Sequence, residues 1–153
     1  MCGFSGFLNF NSNWGDPLTL LQQMGDQLAH RGPDDSGVWF DNNCGVGLSH
    51  RRLSIIDLSA QGHQPMFSTS GRFVIAYNGE IYNHQELKKE LLQAGVIFRG
   101  GSDTEVLLAA IESWGIKQTL QRCIGMFAFS LWDKKEQTLS LVRDRMGEKP
   151  LYY

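Results

Sequence analysis

The chain has little of what would tie it to a membrane, a metal or a nucleic acid. No apolar run approaches the ~18 residues of a membrane span, and the N-terminus has neither the basic start nor the apolar block of a secretory signal. Neither charge sign dominates: 14 basic residues face 16 acidic ones, a net charge of −2. That balance gives no electrostatic reason to expect nucleic acid or an anionic lipid surface as partner. Cysteine is scarce. Cys2, Cys44 and Cys123 are three, an odd number, widely separated and without a CxxC pair, which argues against a disulfide framework or a zinc site and suits a reducing cytoplasm. His30, His50, His63 and His84 show no metal-ligand spacing and read as surface or core residues. Internal repeats and low-complexity tracts are also lacking.

What is present is ordinary globular composition in 153 residues, 42% hydrophobic and 20% charged, enough for one domain (residues 2–153) that buries roughly 68–70% of its unfolded surface. Strand signals dominate. Residues 3–10 alternate, and 36–40 and 44–49 flank the turn residues Asp41, Asn42 and Asn43. Residues 52–57 are short and β-branched. Residues 72–77 run apolar into Asn78 and Gly79, and 126–132 and 138–142 alternate around a polar turn. Three helices interrupt them. The first starts at Asp16 and Pro17 and is expected to reach about His30. The second starts at Asn83, with Leu87, Leu91 and Val96 on one stripe, and closes near Gly95. The third opens on Ser102 with Glu105 three residues on, a capping box, and carries Val106, Leu107, Ile111 and Trp114. Residues 118–123 add a short helical turn. Many strands without a strict βαβ rhythm predict an α+β fold with helices on antiparallel sheets. Cys44 and Cys123 read as buried small hydrophobes, and Trp39, Trp114 and Trp132 as core; Trp14, in a polar loop, has no evident role.

The opening MCGFSGF places a thiol at the tip of the chain. Removal of Met1, which a small second residue permits, would leave Cys2 with both a thiol and a free α-amine. An α-amine titrates near 7.7–8.0, where a general base works well at neutral pH. One residue would then supply nucleophile and base; the alternative is an inert, incidental cysteine. Asn78 and Gly79 read either as a hairpin turn or as an amide and an N–H converging on one oxygen. Of Arg51 and Arg52, strand alternation turns only one inward, where it could clamp a carboxylate or merely sit at a solvated edge. Asp103 either complements a helix dipole or holds an amino group.

Taken together, MCGFSGF, HRGPDDSG, HRRLSIIDLS, GHQPM, YNGEIYNHQELKKEL, SDTE, GMFAFSLWD and RDRMGEKPLYY resemble the glutamine amidotransferase domain of class II, the N-terminal-nucleophile type. The resemblance is strongest to the domain found in glutamine-hydrolysing asparagine synthetases, the proline–aspartate version of residues 30–34 pointing to that branch. It implies a four-layer αββα sandwich with the nucleophile at the tip of a central strand, and hydrolysis of the glutamine side-chain amide through a Cys2 thioester to glutamate and ammonia. It further implies Cys2 as nucleophile, Asn78 and the Gly79 N–H as oxyanion hole, and Arg52 on the substrate α-carboxylate. Glu80 and Asp103 lie around the substrate, with Asp103 on its α-ammonium, and backbone groups of Leu53, Ser54, Ile55 and Ile56 line the pocket. His30 is expected to order its loop or pack. In such proteins the ammonia passes to an ATP-activated carboxylate. ATP and magnesium are therefore expected only in a synthetase domain or subunit that partners this one, with no cofactor in this chain and a homodimer as a further expectation. The family's domain continues with more strands, so the C-terminus is expected to leave a sheet edge open and the isolated chain to be poorly soluble or slow. A non-catalytic glutamine-binding fragment and a purely structural remnant are the alternatives.

Overall fold

The computed structural model describes residues 1–55 and 59–153. Among these, the strands β1 (Gly3–Phe7), β2 (Asp35–Asp41) and β3 (Val46–Arg52) form one antiparallel sheet in the order β1-β3-β2. A second antiparallel sheet, in the order β4-β5-β6-β7, is built from β4 (Met66–Phe67), β5 (Phe73–Ile81), β6 (Gly125–Asp133) and β7 (Thr138–Arg143). Helix α1 (Pro17–Asp26) covers the first sheet. Helices α2 (His84–Gln93), α3 (Asp103–Trp114) and α4 (Ile116–Arg122) lie together, and α3 packs on β4 and β5. The layers are thus α1, sheet, sheet, helices: the α+β, αββα architecture that the sequence and the resemblance imply.

Strand alternation sorts the second sheet into two cores. Phe73, Ile75, Tyr77, Phe127, Phe129 and Leu131 meet Leu87, Leu91, Val106, Leu107 and Ile111 on the helix side. Val74, Ala76 and Trp132 meet Val46 and Leu48 between the sheets, with Phe4, Trp39 and Cys44 at the margin. Cys123 is buried as expected, and burial pushes its thiol up to about 11. Cys44 is only half-buried. Trp14 is half-exposed, but stacks edge-on to Phe7 and Phe10.

Several element bounds depart from the sequence reading, each for a local reason. β1 ends at Phe7 because Asn9 adopts φ 59° and Phe10 N–H donates to the Gly45 carbonyl. α1 ends at Asp26, where the chain tightens into turns closed by Leu28 N–H to Gly25 O and Arg31 N–H to Leu28 O. The expected strands at 44–49 and 52–57 are replaced by β3, which ends at Arg52; Ile56 and Asp57 lie outside the described residues. Asn83 caps no N–H of α2. Its side chain reaches across to Arg122 O and Ile124 N instead. Ser102 does cap α3, but Glu105 turns to the backbone N–H groups of Arg99 and Gly100.

The turn reading of Asn78 and Gly79 is not met. β5 runs straight through them, Asn78 opposite Ala128 and Gly79 opposite Phe127. Glycine is needed there for close approach: a Cβ on Gly79 would lie 2.4 Å from Met126 O and 2.6 Å from Phe127 Cα. β1 is also not central. Among the described residues it pairs with β3 alone and stands at its sheet's edge, as β7 does in the other.

Candidate active site

Cys2 precedes β1 directly, and the ladder pair Gly3–Arg51 delivers it to the end of β3. Its Sγ accepts from Leu53 N–H at 3.3 Å and stands 3.7 Å from Leu53 O, while Arg31 Nε donates to its carbonyl at 3.1 Å. Arg31 thus ties this loop to Cys2, beside the His30 expected to order the loop or pack. His30 is exposed.

Alternation divides the two arginines as it must. Arg51 turns to α1, donating to Gly25 O at 3.2 Å and pairing with Asp26. Arg52 turns inward, is buried, and donates from Nη1 to Ser59 O at 3.0 Å. Gly62 leaves room for its guanidinium: a Cβ there would fall 2.0 Å from Nη2.

Asp103 is the first residue of α3 and is buried. One carboxylate oxygen accepts from Tyr77 OH at 2.8 Å and from Ile81 N–H at 2.9 Å, so α3 is tied to β5. Asn78 lies between those two contacts, directly after Tyr77; it is buried, and its carboxamide makes no hydrogen bond to the described residues.

These elements meet at one pocket of about 110 Å³, lined by Cys2, Arg52, Leu53, Ile55, Asn78, Gly79, Glu80 and Asp103 among others. Such a volume fits a small polar molecule; drug-sized ligands occupy about 300–1,000 Å³. Cation, anion, thiol and carboxamide are arrayed around it, as a zwitterion with an amide end requires. Ser54 is not on the lining, and its N–H donates to Asp34 at 2.7 Å. Ile56 lies outside the described residues.

Sequence reasoning passed over Gln64, Tyr77, Thr104, Met126 and Lys149, which also line the pocket. Gln64 Oε1 accepts from Tyr77 N–H at 2.8 Å, and its Nε2 donates to Thr104 Oγ1 at 3.4 Å. On the other side of β5, His50 Nε2 bonds Tyr77 O at 2.9 Å. Burial drops the His50 pKa to about 4, so the ring is neutral and Nε2–H is the donor. The motif GHQPM contains Gln64, but a side chain that serves a backbone N–H leaves no spacing to read.

The family model for the glutamine amidotransferase domain matches residues 1–153. The chain belongs to the glutamine amidotransferase family. Two asparagine synthetases [glutamine-hydrolyzing] of Bacillus subtilis (strain 168), numbers 1 and 3, are 43% and 40% identical to it over 155 residues, covering 100% of this chain and 24% and 25% of theirs. Amidase chry2 of Gibberella zeae is 40% identical over 162 residues, covering 100% of this chain and 24% of its own. The amidotransferase domain therefore spans about a quarter of these relatives. Among solved structures, glutamine phosphoribosylpyrophosphate amidotransferase from B. subtilis matches with a TM-score of 0.62 at 23% identity, over 75% of this chain and 32% of that one. At that identity the likeness concerns the fold alone. No described helix is long and apolar enough to cross a membrane, and all three cysteines of this amidotransferase domain are free.

Proposed function

We propose that this amidotransferase domain hydrolyses the side-chain amide of free glutamine at Cys2. What supports the reading is the convergence of Cys2, Arg52, Asn78 and Asp103 on one pocket. Arg52 binds the α-carboxylate and Asp103 the α-ammonium, with Glu80 beside them. Held at both charges, the substrate presents its amide to Cys2, and most of the entropy of encounter is spent in binding. Once Met1 is removed, the α-amine of Cys2 takes the thiol proton. The sulfur attacks the amide carbon, and the oxygen gains negative charge facing the Asn78 carboxamide and the Gly79 N–H. The C–N bond breaks as the α-amine returns the proton to the leaving nitrogen, releasing ammonia and a thioester. Water, deprotonated by the same amine, adds to the thioester; the C–S bond breaks, the amine returns that proton to the departing sulfur, and glutamate is released with the thiol restored.

The ammonia is passed to an ATP-activated carboxylate, as in asparagine synthesis. The ATP, its magnesium and the carboxylate belong to a synthetase domain or subunit, and a reducing cytoplasm suits three free thiols. The test is glutamate release from glutamine by the chain and by Cys2→Ala. The reading requires release by the parent and none above background by the variant; equal release by both would overturn it.

A further inference from the structure

Tyr77, in the pocket lining, is tied at three points. Its N–H donates to Gln64 Oε1 at 2.8 Å, its carbonyl bonds His50 Nε2 at 2.9 Å, and its hydroxyl donates to Asp103 at 2.8 Å. Three side chains from three segments thus hold one residue, which immediately precedes Asn78. Two of the three ties lead to the first turn of α3: directly to Asp103, and through Gln64 to Thr104. The ring is buried in the core beneath the helices. Burial and the neighbouring Asp103 anion hold the phenol well above its ordinary range, so it stays a donor.

We propose that Tyr77 is a positioning residue that sets specificity for amides carrying an α-ammonium group. Its hydroxyl fixes the Asp103 carboxylate and keeps it in register with Asn78 and Gly79 on the same strand. Without the hydroxyl, Ile81 N–H is the one donor among the described residues that holds that oxygen, and the carboxylate is free to pivot about its χ2. The proposal rests on the reading of Asp103 as the α-ammonium site. It adds that one residue links the two sites: the Tyr77 side chain reaches Asp103, and its backbone runs directly into Asn78.

The test compares glutamine with 5-amino-5-oxopentanoate, which keeps the carboxylate and amide but lacks the α-amine. Parent, Tyr77→Phe and Asp103→Asn chains are assayed for ammonia release from each. Loss of a hydrogen bond to a charged group predicts that Tyr77→Phe raises KM for glutamine about tenfold. Its kcat stays within a factor of about three and its KM for the deamino amide is unchanged, so discrimination between the two shrinks by the same tenfold. Asp103→Asn should shrink it further. If Asp103→Asn keeps full discrimination, the ammonium site lies elsewhere and the underlying reading fails. If Asp103→Asn loses it while Tyr77→Phe keeps it, the Tyr77 proposal alone is overturned. Equal changes for both amides, or a Tyr77→Phe chain that does not fold, would overturn it too, by making the hydroxyl a structural support only.

Discussion

Lowering the pH from 7 to 5 should cost this domain stability through one residue, His50. It is 1% exposed, its Nε2–H donates to Tyr77 O, and its Nδ1 has no partner among the described residues. Burial is the largest influence and drives the pKa from 6.5 to about 4, against the raising effects of the Tyr77 carbonyl and Asp35; His63 and Arg52 add to the lowering. Between those two values the unfolded chain takes up a proton that the native state refuses. Stability is therefore complete above pH 6.5, falls as pH drops toward 4, and falls no further on this account below 4. The full effect is about 3 kcal/mol, of which about 2 kcal/mol is lost between pH 7 and 5. That is a large share of the 5–15 kcal/mol typical of a domain. Asp133 and Asp144 do not blur the window. Arg72 holds Asp133 low, and at Asp144 burial is outweighed by four backbone N–H donors, so both lose their contribution only as pH falls below the ordinary carboxylate value of 3.8. The assay is urea unfolding at pH 7, 6 and 5 for the parent and for His50→Gln, whose amide can donate to Tyr77 O but does not titrate. The parent should lose about 2 kcal/mol more than the variant across that range. Identical losses would refute the reasoning.

Two further substitutions probe the pocket. Asn78→Ala removes one oxyanion donor and should lower kcat about 10²–10³-fold with little change in KM, measured by glutamate release; an unchanged kcat would remove Asn78 from that role. Gly62→Ala puts a methyl where the Arg52 guanidinium lies, and should raise KM for glutamine about tenfold or more by displacing a charge-assisted contact. Melting temperature should hardly move, because the displaced atoms end a flexible side chain; an unchanged KM would show that Arg52 does not grip the substrate.

Much of this was legible in the sequence because the motifs report local physics. Asp16 before Pro17, Ser102 before an apolar helix, and a polar turn between alternating runs each fix an element through its own hydrogen bonds, and the structure keeps all three. The split of Arg51 and Arg52 followed from the two-residue period of a strand. What was not legible depended on neighbours distant in the chain. Asn and Gly together are a turn signal, yet Gly79 is there so that β6 can pass close by, some 50 residues on. Asn83 looks like a cap until Arg122 and Ile124 claim its side chain. Gln64, Tyr77 and His50 are tied through backbone atoms, which no residue pattern encodes.

The central claim is that Cys2, with its own α-amine exposed, is the group that opens the amide. The most direct measurement is the intact mass of the purified chain before and after reaction with a diazoketone analogue of glutamine, followed by peptide mapping. The account predicts a chain lacking Met1 that gains a single adduct on Cys2, with glutamine protecting it. An adduct on Cys44 or Cys123, or glutamate release by a chain that retains Met1, would contradict it.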